Sequence, residues 1–326
     1  MTKIVSVHDA SISDDPISDA PIKDAVAAIR SGQLVAFGTE TVYGLGGDAT
    51  NADAVAKIFA AKGRPSFNPL ISHIDSTCHA FDLAEATLMA QQLADDYWPG
   101  PMTLILNKRA DCPVADLATA GLDTIALRVP MKPEARQFLH EAGCPIAAPS
   151  ANRSGRISPT KASHVEEELG DCADLAMILD MGMAEDGIES TVIDARGDTP
   201  VILRPGSITA TMIGCSTGLM PTAPGKDIIS PGQLASHYAP SKPVALNISA
   251  HNADDIMIGF GQIQDQAGLN LSAGGDLTEA AANLYDMMRR ADAMAGRRIV
   301  VAPIPQDGLG VAILDRLQRA AADRDQ

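Results

Sequence analysis

The chain has 326 residues, 46% of them hydrophobic, enough for one large core or two ordinary ones. Its formal charge is −16 and its pI about 4.7, so its surface repels a phosphate backbone unless basic residues gather locally, which disfavours RNA binding as the main activity. No uninterrupted apolar run of about 18 residues occurs, and the start carries Asp9, Asp14, Asp15 and Asp19 where a secretory signal would be apolar; a soluble cytoplasmic protein with no membrane partner is expected.

In chain order, short apolar runs at residues 34–37, 70–73, 103–106, 125–129 and 192–194 read as strands. Helical patterns lie between them. Asn51 caps a stretch with Ala54, Val55, Ile58 and Phe59 on one face, and residues 87–97 repeat the logic with Leu88, Met89 and Leu93. Residues 214–243 then hold Pro221, Pro224, Gly225, Pro231, Gly232, Pro240 and Pro243, a density that element interiors do not tolerate, so they read as a linker. Beyond it come apolar segments at 244–248 and 256–260. A helix with Leu277, Ala281, Leu284 and Met288 at helical spacing follows, then a strand at 299–302 and a last helix at 310–321. The expected division is a catalytic domain over 1–212, a linker over 213–243 and a small α/β domain over 244–326. Five cysteines without any C-x-x-C pair suggest reduced thiols rather than disulfides or zinc.

Five segments carry chemistry. Gly38-Thr39-Glu40-Thr41-Val42-Tyr43-Gly44-Leu45-Gly46-Gly47 follows the first strand and reads as a loop whose backbone can approach a ligand closely, although it lacks the Gly-Lys-Ser/Thr ending of a Walker A loop. Lys62-Gly63-Arg64-Pro65 sets two cations after a helix, bracketed by Pro65 and Pro69, where they suit phosphate or carboxylate oxygens; Lys62 satisfying its own helix end is the bland alternative. His73 stands at a strand end, where a structural role is the ordinary one. Arg128 sits in an otherwise apolar strand, costly to bury without an anion, which is either a protein or a substrate carboxylate. Residues 147–160 concentrate hydroxyl and amide groups with Arg153 and Arg156, and Glu189-Ser190-Thr191 with Arg204-Pro205-Gly206 adds hydroxyls and another arginine beside strands.

Together these words, with Asn68-Pro69-Leu70-Ile71, Pro99-Gly100-Pro101-Met102-Thr103-Leu104 and Pro149-Ser150-Ala151-Asn152-Arg153-Ser154-Gly155, resemble the YrdC-like family in order and spacing. Ser230-Pro231-Gly232, His237-Tyr238-Ala239-Pro240 and the tail around Asp315-Arg316-Leu317 are similar to the linker and second domain of its long members. The resemblance implies a YrdC-like twisted open mixed sheet flanked by helices, followed by a small Rossmann-like α/β domain. It also implies ATP-dependent synthesis of threonylcarbamoyl-AMP from L-threonine and bicarbonate, with pyrophosphate released. Threonine is then expected near Thr41, His73, Arg128, Ala148 and Ser190, with Arg128 on its carboxylate. ATP is expected at Lys62, Arg64, Asn68, Thr124, Ser150, Ser158, Arg204 and Tyr238, with Lys62 and Arg64 as the catalytic cations. Mg2+ would come with ATP rather than be held by the protein, the linker would act as a lid, and the product would pass to a tRNA threonylcarbamoyl transferase.

Gly38 stands where the family commonly has proline, Gln233-Leu234-Ala235-Ser236 replaces a more basic stretch, and the second domain is shorter than usual. Two other readings are an RNA-binding maturation factor and a carbamoyl-phosphate enzyme. The acidic charge opposes the first, and the lack of C-x-x-C pairs opposes the second.

Overall fold

The computed structural model describes residues 2–7, 19–225, 237–249, 252–262 and 268–322; the linker words at 230–232 and 233–236 lie outside them. The first domain runs β1 (Lys3–Ser6), α1 (Asp19–Arg30), β2 (Leu34–Phe37), β3 (Gly44–Asp48), α2 (Ala52–Lys62), β4 (Ile71–His73), α3 (Thr77–Leu83), α4 (Leu88–Tyr97), β5 (Met102–Asn107), β6 (Thr124–Arg128), α5 (Pro133–Ala142), β7 (Ile146–Ala147), α6 (Ala162–Leu169), β8 (Leu175–Asp180), β9 (Thr191–Asp194), β10 (Val201–Arg204) and α7 (Ala210–Thr217). The second runs β11 (Val244–Ala245), β12 (Asp255–Gly259), β13 (Leu269–Asn270), α8 (Leu277–Ala293), β14 (Arg298–Val301) and α9 (Gly310–Ala321). The first ten strands form one mixed sheet in the order β1-β8-β2-β3-β7-β4-β6-β5-β9-β10, and the last four a parallel sheet in the order β11-β14-β12-β13.

Helices cover both faces of the large sheet, which is why β2 is a continuous apolar run rather than an alternating one. Leu34 and Ala36 pack into the cluster under α2, α4 and α6, while Val35 and Phe37 pack under α1 and α5. Asn51 caps α2 as expected, its side chain accepting from the Asp53 and Ala54 amides, a contact worth about 1 kcal/mol. Gly63 ends that helix in the left-handed conformation at φ 59°, which swings the chain so that Lys62 and Arg64 leave in different directions.

Two expectations are corrected. Residues 44–47 are not loop but the first part of β3, antiparallel to β2. A Cβ at Gly46 would lie 2.9 Å from both Ile146 and Phe37, so the glycines serve close packing inside the sheet. The chain after 212 does not loosen at once either: α7 continues to Thr217, and Thr222 then bridges to Val201 at the edge of the first sheet.

The domains share a core. Val42, Ile157 and Ile188 of the first domain pack with Tyr238, Tyr285, Ile313 and Leu317. Lys161 reaches Asp286 at 2.6 Å and Arg289 donates to the Ile157 carbonyl, so polar contacts flank the shared apolar patch.

Candidate functional site

The registers build the site. Parallel pairing of β4 with β6 sets His73 beside Arg128, and antiparallel pairing of β4 with β7 carries the chain from Ile146 beside His73 back to Ala148, whose amide donates to the Ile71 carbonyl, and on to Ser150, which bridges to Gly44. Parallel pairing of β5 with β9 places Ser190, just before Thr191, near Thr103, and the two hydroxyls are 2.8 Å apart. These strand ends form a cleft walled by Thr39, Thr41, Arg64, His73, Arg128, Ala148, Ser150, Glu189, Ser190, Arg204, His237 and Tyr238 among others.

All five residues expected around threonine line this cavity: Thr41, His73, Arg128, Ala148 and Ser190. The partner of Arg128 is a protein carboxylate: Nη2 donates to Glu40 Oε1 at 2.6 Å, Nη1 to Thr41 Oγ1 at 2.8 Å, and Nε to the Gly100 carbonyl at 3.3 Å. Glu40, a residue the sequence reading did not single out, thus holds the guanidinium in place, and its Oε2 is buried without a partner. Burial and the Arg128 charge draw His73 down to about 3, so it is neutral at physiological pH; its Nδ1 is likewise buried without a partner.

Of the residues expected around ATP, Arg64, Ser150, Arg204 and Tyr238 line the same cavity, whereas Lys62, Asn68, Thr124 and Ser158 do not. Lys62 is buried and donates to the Ser150 and Asn152 carbonyls, so in this structure its ammonium ties down the loop behind the wall rather than facing a ligand. Burial, then the Arg64 charge, lowers its pKa. Ser158 donates to Glu189 Oε1 at 2.6 Å, Asn68 is buried with Oδ1 unpartnered, and Thr124, on the Arg128 face of β6, falls short of the wall. Arg64 is anchored through Nε and Nη2 on the Asn68 and Pro69 carbonyls, and Arg204 through Nε and Nη2 on the Ser190 carbonyl and hydroxyl. Burial first, then Arg204 against an opposing pull from Tyr238, brings Arg64 down to about 10, still charged at neutral pH. Cations crowded in this way with neutral anchors are electrostatically costly until an anion enters.

The linker contributes Tyr238, buried at φ 61°, and His237, edge-on to it at 4.1 Å. Burial draws His237 down to about 3, leaving it neutral. Two residues from the distant second domain also reach the wall's support, Tyr285 and Arg316. Arg316 carried a signal in sequence: like Arg128 in its strand, it is a charge on an apolar face, that of α9 with Ala312, Ile313 and Leu317.

Asp186 stands behind Glu40, its amide donating to the Glu40 carbonyl and its Oδ2 accepting from Ser207. Burial, then the Glu40 carboxylate, pushes it up to about 6. The folded state therefore holds this proton more tightly than the unfolded chain, and stability present in acid is lost as pH rises toward 6. Asp186→Asn is expected to raise the melting temperature by ~3 °C at pH 8, from about 1 kcal/mol after allowing for solvent screening, with the gain vanishing near pH 4. A gain independent of pH in scanning calorimetry would contradict this.

The fold and this cavity define an α/β protein with one polar cleft walled by arginines, hydroxyls and a tyrosine. Comparison with known proteins narrows the class. The Sua5/YciO/YrdC family model, described as telomere recombination, matches residues 27–206, and the model of the threonylcarbamoyl-AMP synthase C-terminal domain matches residues 208–322. The chain is 40% identical to threonylcarbamoyl-AMP synthase of Bacillus subtilis, over 92% of each chain, and 38% identical to that of Pyrococcus abyssi, over 92% of this chain and 94% of the other. Among solved structures it is similar to P. abyssi Sua5 complexed with L-threonine, with a TM-score of 0.88, 36% identity and 98% of both chains covered. The chain belongs to the Sua5/YciO/YrdC family, in its two-domain form.

Proposed function

We propose that this protein joins L-threonine, bicarbonate and ATP into threonylcarbamoyl-AMP and releases pyrophosphate, for the threonylcarbamoyl modification of tRNA. The observation that carries the reading is one cavity shared by two sets of groups: Thr41, His73, Arg128, Ala148 and Ser190 on one side, Arg64, Ser150, Arg204 and Tyr238 on the other. Relatives of the same two-domain length bear the name of this activity, and one was solved with threonine.

In this reading Arg128, fixed by Glu40, takes the amino acid's carboxylate, and Thr41 and Ser190 present hydroxyls to its polar groups. The amine, after losing a proton, adds to carbon dioxide formed from bicarbonate, and a second proton leaves as the carbamate forms. A carbamate oxygen then bonds to the α-phosphorus while the bond to the pyrophosphate oxygen breaks. Arg64 and Arg204 stabilise the charge that gathers on the phosphates, and Lys62 holds the 150–152 loop against them. Glu189, the carboxylate of the wall, has both oxygens occupied by Ser158, Tyr285 and Arg316, so Mg2+ would enter on the nucleotide's phosphates.

Tyr238 and His237 close one wall and would exclude water from a carbamate that hydrolyses readily, the purpose of a lid built from the 213–243 segment. The labile adenylate must be consumed by a group transferase acting on tRNA. Among the described residues no helix is long and apolar enough to cross a membrane, and the five cysteines are free, in keeping with a cytoplasmic setting. The test is pyrophosphate release from ATP by the purified protein, expected only when threonine and bicarbonate are both present. Equal ATP consumption without threonine would overturn the reading.

A further inference from the structure

A carboxylate in the wall of a phosphate site is an electrostatic liability, because it repels the nucleotide or draws the site's arginines onto itself. Glu189 is such a group: it lines the cavity together with Arg64 and Arg204 and is only 6% exposed. The second domain deals with it. Its Oε2 accepts from Arg316 Nε at 2.9 Å and from the Tyr285 hydroxyl at 2.8 Å, and its Oε1 accepts from Ser158 at 2.6 Å. Arg316, fully buried on α9, also donates from Nη2 to the Glu189 carbonyl at 3.3 Å and from Nη1 to Asp315 at 2.7 Å. Asp315 is shared with Arg319, so the cluster is balanced within itself. With Glu189 occupied, the guanidinium of Arg204 rests on the neutral carbonyl and hydroxyl of Ser190.

The same two residues hold the linker's aromatic ring. Tyr238 stacks on Tyr285 with centroids 5.6 Å apart, and the Arg316 guanidinium lies 5.5 Å from the Tyr238 ring centre. Arg128, the group expected on threonine's carboxylate, is anchored otherwise, on Glu40, Thr41 and Gly100 of the first domain.

We infer that Arg316 and Tyr285 are positioning residues for the nucleotide half of the site, acting through Glu189 and Tyr238, so that the second domain completes ATP binding rather than being an appendage. Arg316 cancels the wall carboxylate and thereby keeps Arg64 and Arg204 available to phosphate. Its removal releases a buried charge toward those two cations, while Arg128 keeps its anchors on the first domain. This rests on the assignment of the cavity to ATP and threonine made above.

The experiment is kinetics plus calorimetric binding of threonine and of a non-hydrolysable ATP analogue to the full-length protein. Arg316→Ala is expected to raise the ATP KM by about 10-fold or more, with threonine affinity unchanged. Adding Glu189→Gln removes the charge that needs cancelling, and the double variant is expected to return to within ~3-fold of the wild-type ATP KM, with Arg316→Lys intermediate. Thermal unfolding checks that each variant is folded, and analogue binding to the folded Arg316→Lys protein reads the effect should Arg316→Ala fail to fold. An unchanged ATP KM, an equal loss of threonine affinity, or a folded double variant without rescue overturns the inference. A wild-type protein that binds the analogue yet shows no threonine-dependent turnover would instead overturn the functional reading, and the binding measurements on the variants would still decide the role of Arg316.

Discussion

Arg128→Ala is expected to lower stability by about 3–5 kcal/mol and to raise the threonine KM by on the order of 10- to 100-fold, while the ATP KM stays nearly constant. The two effects have different causes. Stability falls because Glu40 loses its 2.6 Å partner and is left as a buried charge without its counter-ion. Threonine affinity falls because the guanidinium facing its carboxylate is gone. The double variant with Glu40→Gln separates them: the melting temperature recovers and the threonine KM does not. A loss confined to ATP binding would remove Arg128 from the amino-acid half.

Arg64→Ala is expected to act on the other ligand, raising the ATP KM by on the order of 10- to 100-fold, the loss of a charge-assisted phosphate contact of about 1.5–3 kcal/mol. Stability should hold or rise slightly. Arg64 is anchored on two backbone carbonyls and shares its surroundings with Arg204, so deleting it relieves cation crowding and leaves no buried carboxylate behind. Threonine binding measured by calorimetry in the absence of nucleotide should match wild type. Unchanged kinetics would take Arg64 out of the site.

These two arginines also show what kind of signal a sequence carries. Arg128 could be singled out because a cation within an apolar strand demands an anion, but whether that anion was protein or ligand depended on Glu40, which lies 88 positions away. Lys62 and Arg64 flank one glycine and read as a pair facing one ligand. The left-handed turn at Gly63 sends Lys62 to the 150–152 carbonyls and Arg64 to the cavity wall, a divergence set by where the 150–152 loop comes to lie. The glycine run at 44–47 reads as loop because it sits with hydroxyls and a carboxylate just past the carboxyl end of a strand. Only the tight approach of Ile146 and Phe37 makes a side chain there intolerable. Residues 213–217 read as linker because prolines follow closely, yet the prolines begin only after α7 has ended.

By itself the sequence indicated the strands near 34–37, 70–73, 103–106, 125–129 and 192–194, the helices after Asn51 and Thr87, a proline-rich connection, and the hydroxyl and cationic residues most of which line one cavity, because hydrophobic period, capping and punctuation are local properties of the chain. The tertiary structure alone decided that Glu40 fixes Arg128, that Lys62 braces a loop, and that Arg316 reaches Glu189 across 127 positions. Such pairings depend on strand register and on the docking of two domains. Neither leaves a periodic trace in the order of residues, since each is settled only when distant segments compete for the same buried charge.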